Sequence, residues 1–121
     1  MRVPGSTYRL QLNGDFTFSD AADLVPYLAE LGVGDVYASP YLKARPGSTH
    51  GYDVVDPASL NPELGTEDDY RLLVRVLRDH SMGQLLDIVP NHMGVGPDNA
   101  FCVVCRAGIQ RMIDFYAPPE R

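Results

Sequence analysis

The residues from Gln84 to His92, QLLDIVPNH, restrict what this chain can fold into more than any other stretch. Leu85, Leu86, Ile88 and Val89 form a short apolar run, partly β-branched, that Pro90 stops. Such a run between breakers predicts a strand buried on both faces, as in a parallel sheet with helices outside. Asp87 stands in its middle, where a carboxylate costs several kcal/mol unless something pairs with it. Asn91 and His92 then fall at the carboxyl end of the strand, where α/β folds place their ligand sites. Strand alternation puts Asp87, Val89 and Asn91 on one face. An ordinary core strand with a polar exit fits the same pattern.

Upstream, Thr7 to Leu12 (TYRLQL) alternates Tyr8, Leu10 and Leu12 with Thr7, Arg9 and Gln11, which predicts a strand with one polar face. Asn13-Gly14-Asp15 is a turn. Ser19 is a candidate helix cap, with Asp20 and Asp23 in the first turn. Leu24, Tyr27, Leu28 and Leu31 follow at helical spacing, and Gly32 suits the C-terminal cap. Pro26 conflicts with a regular helix, so a kink or a helix starting later than Ser19 is expected. Val33 to Ala38 reads as a second strand. Ser39 to Gly65 reads as a long loop carrying Pro40, Pro46, Pro57 and Pro62, and loops this long in compact domains are usually functional. At its centre, in GSTHGYD, His50, Tyr52 and Asp53 supply a donor, a stacking ring and an acceptor. A surface loop with turn chemistry is the plainer reading. Thr66 caps a second helix with Asp69 at the capping-box position, and Leu72, Leu73, Val76 and Leu77 make its apolar stripe.

The order strand, helix, strand, helix, strand implies parallel strands with right-handed crossovers, opening either a doubly wound sheet or a (β/α)8 barrel. The first strand–helix turn has no G-x-G-x-x-G, and no Walker sequence occurs, which weakens a nucleotide-binding fold. The 121 residues suffice for one small domain. Net charge is −6 without a basic cluster, which argues against nucleic acid as partner. No stretch approaches a membrane span and the start lacks a signal-peptide core, so a cytoplasmic protein is expected.

DIVPNH at Asp87 to His92 resembles the first conserved region of the α-amylase family of glycoside hydrolases and transglycosylases. HGYD at His50 to Asp53 resembles the segment after that family's second barrel strand. Within the family the chain is similar to the maltooligosyltrehalose synthases, the (1→4)-α-D-glucan 1-α-D-glucosylmutases. TYRLQL, PYLAELGV, RPGSTHGYDVVDP, NPELG and DIVPNHM carry that similarity in order, from about Thr7 to Asn99. The resemblance implies an incomplete (β/α)8 TIM barrel, its first three strands and two helices in residues 1–99. It implies that Tyr52 stacks on a pyranose and that His92 hydrogen-bonds the same sugar, with His50 and Asp53 shaping the pocket. Asp87 would support the active-site network and Asn91 would be structural. No metal and no cofactor are implied, and the partner is a maltooligosaccharide or α-1,4-glucan.

The family's reaction is retaining, with a nucleophilic carboxylate and an acid/base carboxylate about 5 Å apart. In the synthases the released glucose turns in the site, and its anomeric hydroxyl attacks the glycosyl-enzyme, so that an α-1,4 bond becomes α,α-1,1. The three catalytic carboxylates follow the fourth, fifth and seventh strands, beyond this chain. So does the arginine that normally neighbours Asp87. The resemblance therefore implies a trehalose-forming glucosylmutase by family and inactivity of these 121 residues alone. Asp87 is expected to be either water-exposed along an open edge or buried unpaired, with Asp87→Asn changing stability little and the chain prone to aggregate. From Ala100 to Arg121 the pattern is lost, and a frameshift near Ala100 is expected. There Cys102 and Cys105 read as small apolar residues rather than a zinc site. Ile109, Met112, Ile113 and Tyr116 could form a short amphipathic helix. Another α-amylase-family glycosidase, or a non-catalytic glucan-binding or partner-binding protein, fits the same residues.

Overall fold

The computed structural model describes residues 3–99. Strand β1 (Thr7–Leu10) leads through helix α1 (Phe18–Glu30) to β2 (Asp35–Ala38). Strands β3 (Leu42–Ala44) and β4 (Val54–Leu60) and a single 3-10 turn (Pro62–Leu64) follow, then helix α2 (Glu67–Asp79) and β5 (Gly83–Leu86). The strands β1, β2 and β5 form one parallel sheet in that order. The alternation expected from sequence is thus realised as the opening of a barrel, with three parallel strands and two helices. Residues 100–121, with Cys102, Cys105 and the expected amphipathic helix, lie outside the described residues.

One face of the sheet is packed by the helices. Leu10, Val36 and Ala38 point to it, against Phe18, Val25 and Leu28 of α1 and Leu73 and Leu77 of α2. Helix α1 begins at Phe18, capped by Thr17 rather than Ser19, because the Asp20 carboxylate accepts from the Thr17 amide at 2.8 Å and from its hydroxyl at 2.7 Å. The helix starts before Ser19, not later, and runs through Pro26. An interior proline costs roughly 3 kcal/mol, and burial of Phe18, Val25 and Leu28 at a few kcal/mol each offsets it. At its other end Gly32 adopts φ +87°, while its amide reaches Ala29 O and the Val33 amide reaches Leu28 O, each at 3.0 Å. That is a Schellman stop, which a side chain at Gly32 would strain.

The expected long loop from Ser39 to Gly65 is instead an antiparallel hairpin of β3 and β4 with irregular register, followed by the 3-10 turn. Pro57 lies inside β4, where it cannot donate, and that masked the strand in the sequence. Phe18, Tyr41 and Tyr70 hold the hairpin base against both helices, with ring centroids 5.1–5.6 Å apart. Burial pushes the Tyr41 phenol above its ordinary value.

Thr66 caps α2 as expected. Its hydroxyl accepts from the Asp69 amide at 3.2 Å, and the Asp69 carboxylate accepts from the Thr66 amide at 2.7 Å. Thr66→Ala is expected to lower stability by about 1 kcal/mol, read as a lower urea midpoint at unchanged slope; an unchanged midpoint would show the cap to be dispensable.

The QLLDIVPNH strand is shorter and more exposed than its sequence implies. β5 ends at Leu86, so Asp87 lies just beyond it, and Val89 and Asn91 are not on a strand at all. Among the described residues only β2 flanks β5, and Leu85, Leu86 and Ile88 are 40%, 48% and 65% exposed. The apolar run suits burial on both faces, but burial also needs a neighbouring strand on the far side, and none stands there among the described residues.

Candidate functional site

The helix-free face of the sheet carries the polar groups. Arg9 and Tyr37 are register partners on β1 and β2 and so share that face, with the guanidinium carbon 4.6 Å from the Tyr37 ring centroid. Asp87 follows β5 at the same carboxyl end, its amide bonded to Ala38 O at 3.1 Å. Tyr52 reaches in from the tip of the β3–β4 hairpin.

Three of these side chains converge on one oxygen of the fourth. Asp87 Oδ2 accepts from Tyr52 Oη at 2.6 Å, Tyr37 Oη at 3.0 Å and Arg9 Nη1 at 3.1 Å. Tyr52 Oη also accepts from Arg9 Nη2 at 2.8 Å, closing the network. Asp87 is therefore neither open to water along the edge nor unpaired: its side chain is 18% exposed and ion-paired with Arg9. The cation comes from β1, not from a later strand. The Tyr52 hydroxyl, aided by Arg9 and Tyr37, holds the Asp87 carboxyl below its ordinary range against the opposing effect of burial. The bond to Asp87 in turn raises the Tyr37 phenol. Burial works against the Arg9 cation, but its bonds to Tyr52 and Asp87 outweigh it and raise the guanidinium above its ordinary value.

The GSTHGYD turn carries His50 and Asp53 beside Tyr52. The His50 and Tyr52 rings stack, 5.9 Å apart at 16°, and His50 Nδ1 accepts from the Tyr52 amide at 3.0 Å. With Nδ1 as that acceptor, its 3.9 Å separation from Asp53 Oδ1 is not an ion pair. Asp53 instead accepts from the Ser48 hydroxyl at 2.5 Å. Asn91 and His92 bond each other at 2.9 Å and are exposed. The structure thus joins Tyr52 to Asp87 and to His50, while Asn91 and His92 form a separate pair. Among the described residues, no group of three or more His, Cys, Asp or Glu converges to hold a metal.

Arg9 and Tyr37 were missed as site residues in the sequence. The signal for Arg9 was present: it lies on the polar face of TYRLQL, two residues from Gln11, on a strand whose other face is core. Tyr37 gave no signal, because an aromatic in a short strand reads as packing.

Three parallel strands with helices packed on one face are the opening of an α/β barrel, and the chain belongs to the alpha-amylase catalytic-domain family, whose model matches residues 14–120. Several of the proteins it is similar to are named as maltooligosyl trehalose synthases. A Mycobacterium tuberculosis protein named as a maltooligosyl trehalose synthase is 51% identical over 96 residues, covering 75% of this chain and 12% of that protein. Among solved structures, a glycosyltrehalose synthase is 54% identical with a TM-score of 0.75, covering 78% of this chain and 13% of its own. The maltooligosyltrehalose synthase from Arthrobacter ramosus is 46% identical with a TM-score of 0.77, covering 79% and 13%. The chain therefore spans about one eighth of the length of these relatives. No helix among the described residues is long and apolar enough to cross a membrane.

Proposed function

We propose that residues 1–99 supply the N-terminal wall of the substrate cleft of an intramolecular transglucosylase, with residues 100–121 a divergent tail. The enzyme would convert the reducing-end α-1,4 bond of maltooligosaccharides to α,α-1,1. The observation that carries this reading is the Tyr52–Asp87–Arg9–Tyr37 network at the carboxyl ends of three parallel strands. The synthase relatives support the particular reaction.

In this reading the Tyr52 ring stacks on the flat C–H face of a glucose unit, which suits an aromatic with a polar tip. Its hydroxyl is already engaged by Asp87 and Arg9, so the ring is fixed before the sugar arrives. His92 hydrogen-bonds the sugar, Asn91 orients His92, and His50 and Asp53 shape the pocket. Asp87 orients Tyr52 and touches no reacting atom. Nucleophile and acid/base are not among these residues, so the 121-residue chain alone is inactive.

Pure 121-residue protein incubated with maltopentaose is expected to leave the reducing-end titre unchanged. A fall in reducing ends without released glucose, the mark of an α,α-1,1 end, would place catalytic groups within the chain and overturn this assignment.

A further inference from the structure

Gln11 makes contacts that the reading above leaves unused. It follows Arg9 by two positions, and both side chains leave the same side of the chain. Gln11 Nε2 donates to the carbonyl oxygens of Thr49 and His50, each at 3.2 Å. Its Oε1 accepts from Arg9 Nη2 at 3.2 Å, and that same nitrogen donates to Tyr52 Oη at 2.8 Å. β1 and the residue just beyond it thus grip one loop at two levels, the backbone through Gln11 and the phenol tip through Arg9.

We propose that Arg9 and Gln11 are positioning residues that lock the stacked His50–Tyr52 pair into the orientation that receives an α-glucan. This rests on the proposed role of Tyr52 as the sugar platform. The two hydrogens of the Gln11 amide each reach one carbonyl, which fixes the tilt of two successive peptide planes. Those planes set where the His50 ring stands, and the His50 ring accepts the Tyr52 amide. Loss of Gln11 leaves the two carbonyls to water, so the plane directions are no longer set. Each exposed bond contributes little to global stability. Their effect is preorganisation: a loop already ordered does not lose freedom when the ligand binds. Lysine cannot stand in for Arg9, because one ammonium does not span Asp87, Tyr52 and Gln11 as the two guanidinium nitrogens do.

Gln11→Glu tests this, since Gln11 is exposed and the change keeps its size and its acceptor for Arg9 while removing both donors. Amide exchange in residues 48–53 is expected to quicken about tenfold, with α1 and α2 unchanged. Maltopentaose affinity by calorimetry is expected to fall about tenfold, and Arg9→Lys to act in the same direction. Unchanged exchange in the loop, faster exchange throughout the protein, or a loosened loop with unchanged affinity would each overturn the positioning role. Tyr52→Leu separates this from the glucan reading itself. If maltopentaose binds that variant as well as the wild type, or binds neither, the glucan reading fails, while the exchange data still decide whether the clamp exists.

Discussion

Gly94→Ala is expected to lower stability by about 2–3 kcal/mol. A Cβ at Gly94 would stand 2.7 Å from the backbone oxygen of Asp53 and 3.2 Å from Arg45 Cγ. Arg45 can swing aside, but the Asp53 carbonyl cannot, because it accepts the Arg45 amide at 3.1 Å in the hairpin. The segment after His92 would have to lift off, breaking the 2.8 Å bond from the Gly94 amide to Val54 O. Asn99, whose side-chain amide donates to Gly94 O at 2.7 Å, would move with it. Urea unfolding measures the loss, and amide exchange at Gly94 locates it. By contrast Gly14→Ala, with open space around the site, is the control and should change little. Equal midpoints for the two variants would show that the segment is not seated on the hairpin.

Asp87→Asn is expected to cost about 1–3 kcal/mol at neutral pH, since it removes the charge that two phenol hydroxyls and one guanidinium share. The sequence alone had pointed to almost no effect. The pH dependence follows from the depressed carboxyl. A carboxylate held below its unfolded value, near 4, contributes stability that is fully present above that value. It is lost as pH falls through the lower folded value. The gap between wild type and Asp87→Asn should therefore be widest near neutrality and close in strong acid. The depressed Asp20, Asp56 and Asp69 also titrate there, but they are common to both proteins and cancel. A gap of constant size across that range would mean that Asp87 acts through packing and not through its charge.

The two helices and the parallel sheet were legible in the sequence because their signals are local. Thr66 and Asp69 cap α2 through bonds spanning three residues, and Leu10 and Leu12 alternate with Arg9 and Gln11 by strand geometry alone. The relatives' motifs named the family and its sugar-facing candidates, since DIVPNH and HGYD are contiguous in the chain. The hairpin was not legible, because Pro57 in β4 hides a strand whose partners lie 10 to 18 positions upstream in irregular register. Nor was the first helix cap: Ser19 and Thr17 are chemically alike, and the choice fell to the Asp20 carboxylate.

The fate of Asp87 shows where the sequence's authority stops. The residue types alone established that a carboxylate beside an apolar run must find a partner. They could not say which, because Arg9, Tyr37 and Tyr52 lie 78, 50 and 35 positions away. Register between β1 and β2 sets Arg9 beside Tyr37, the hairpin carries Tyr52 over them, and the end of β5 delivers Asp87. A local pattern encodes which groups need pairing; only the packing of distant segments decides who pairs with whom, because hydrogen-bond geometry is satisfied in space and not along the chain.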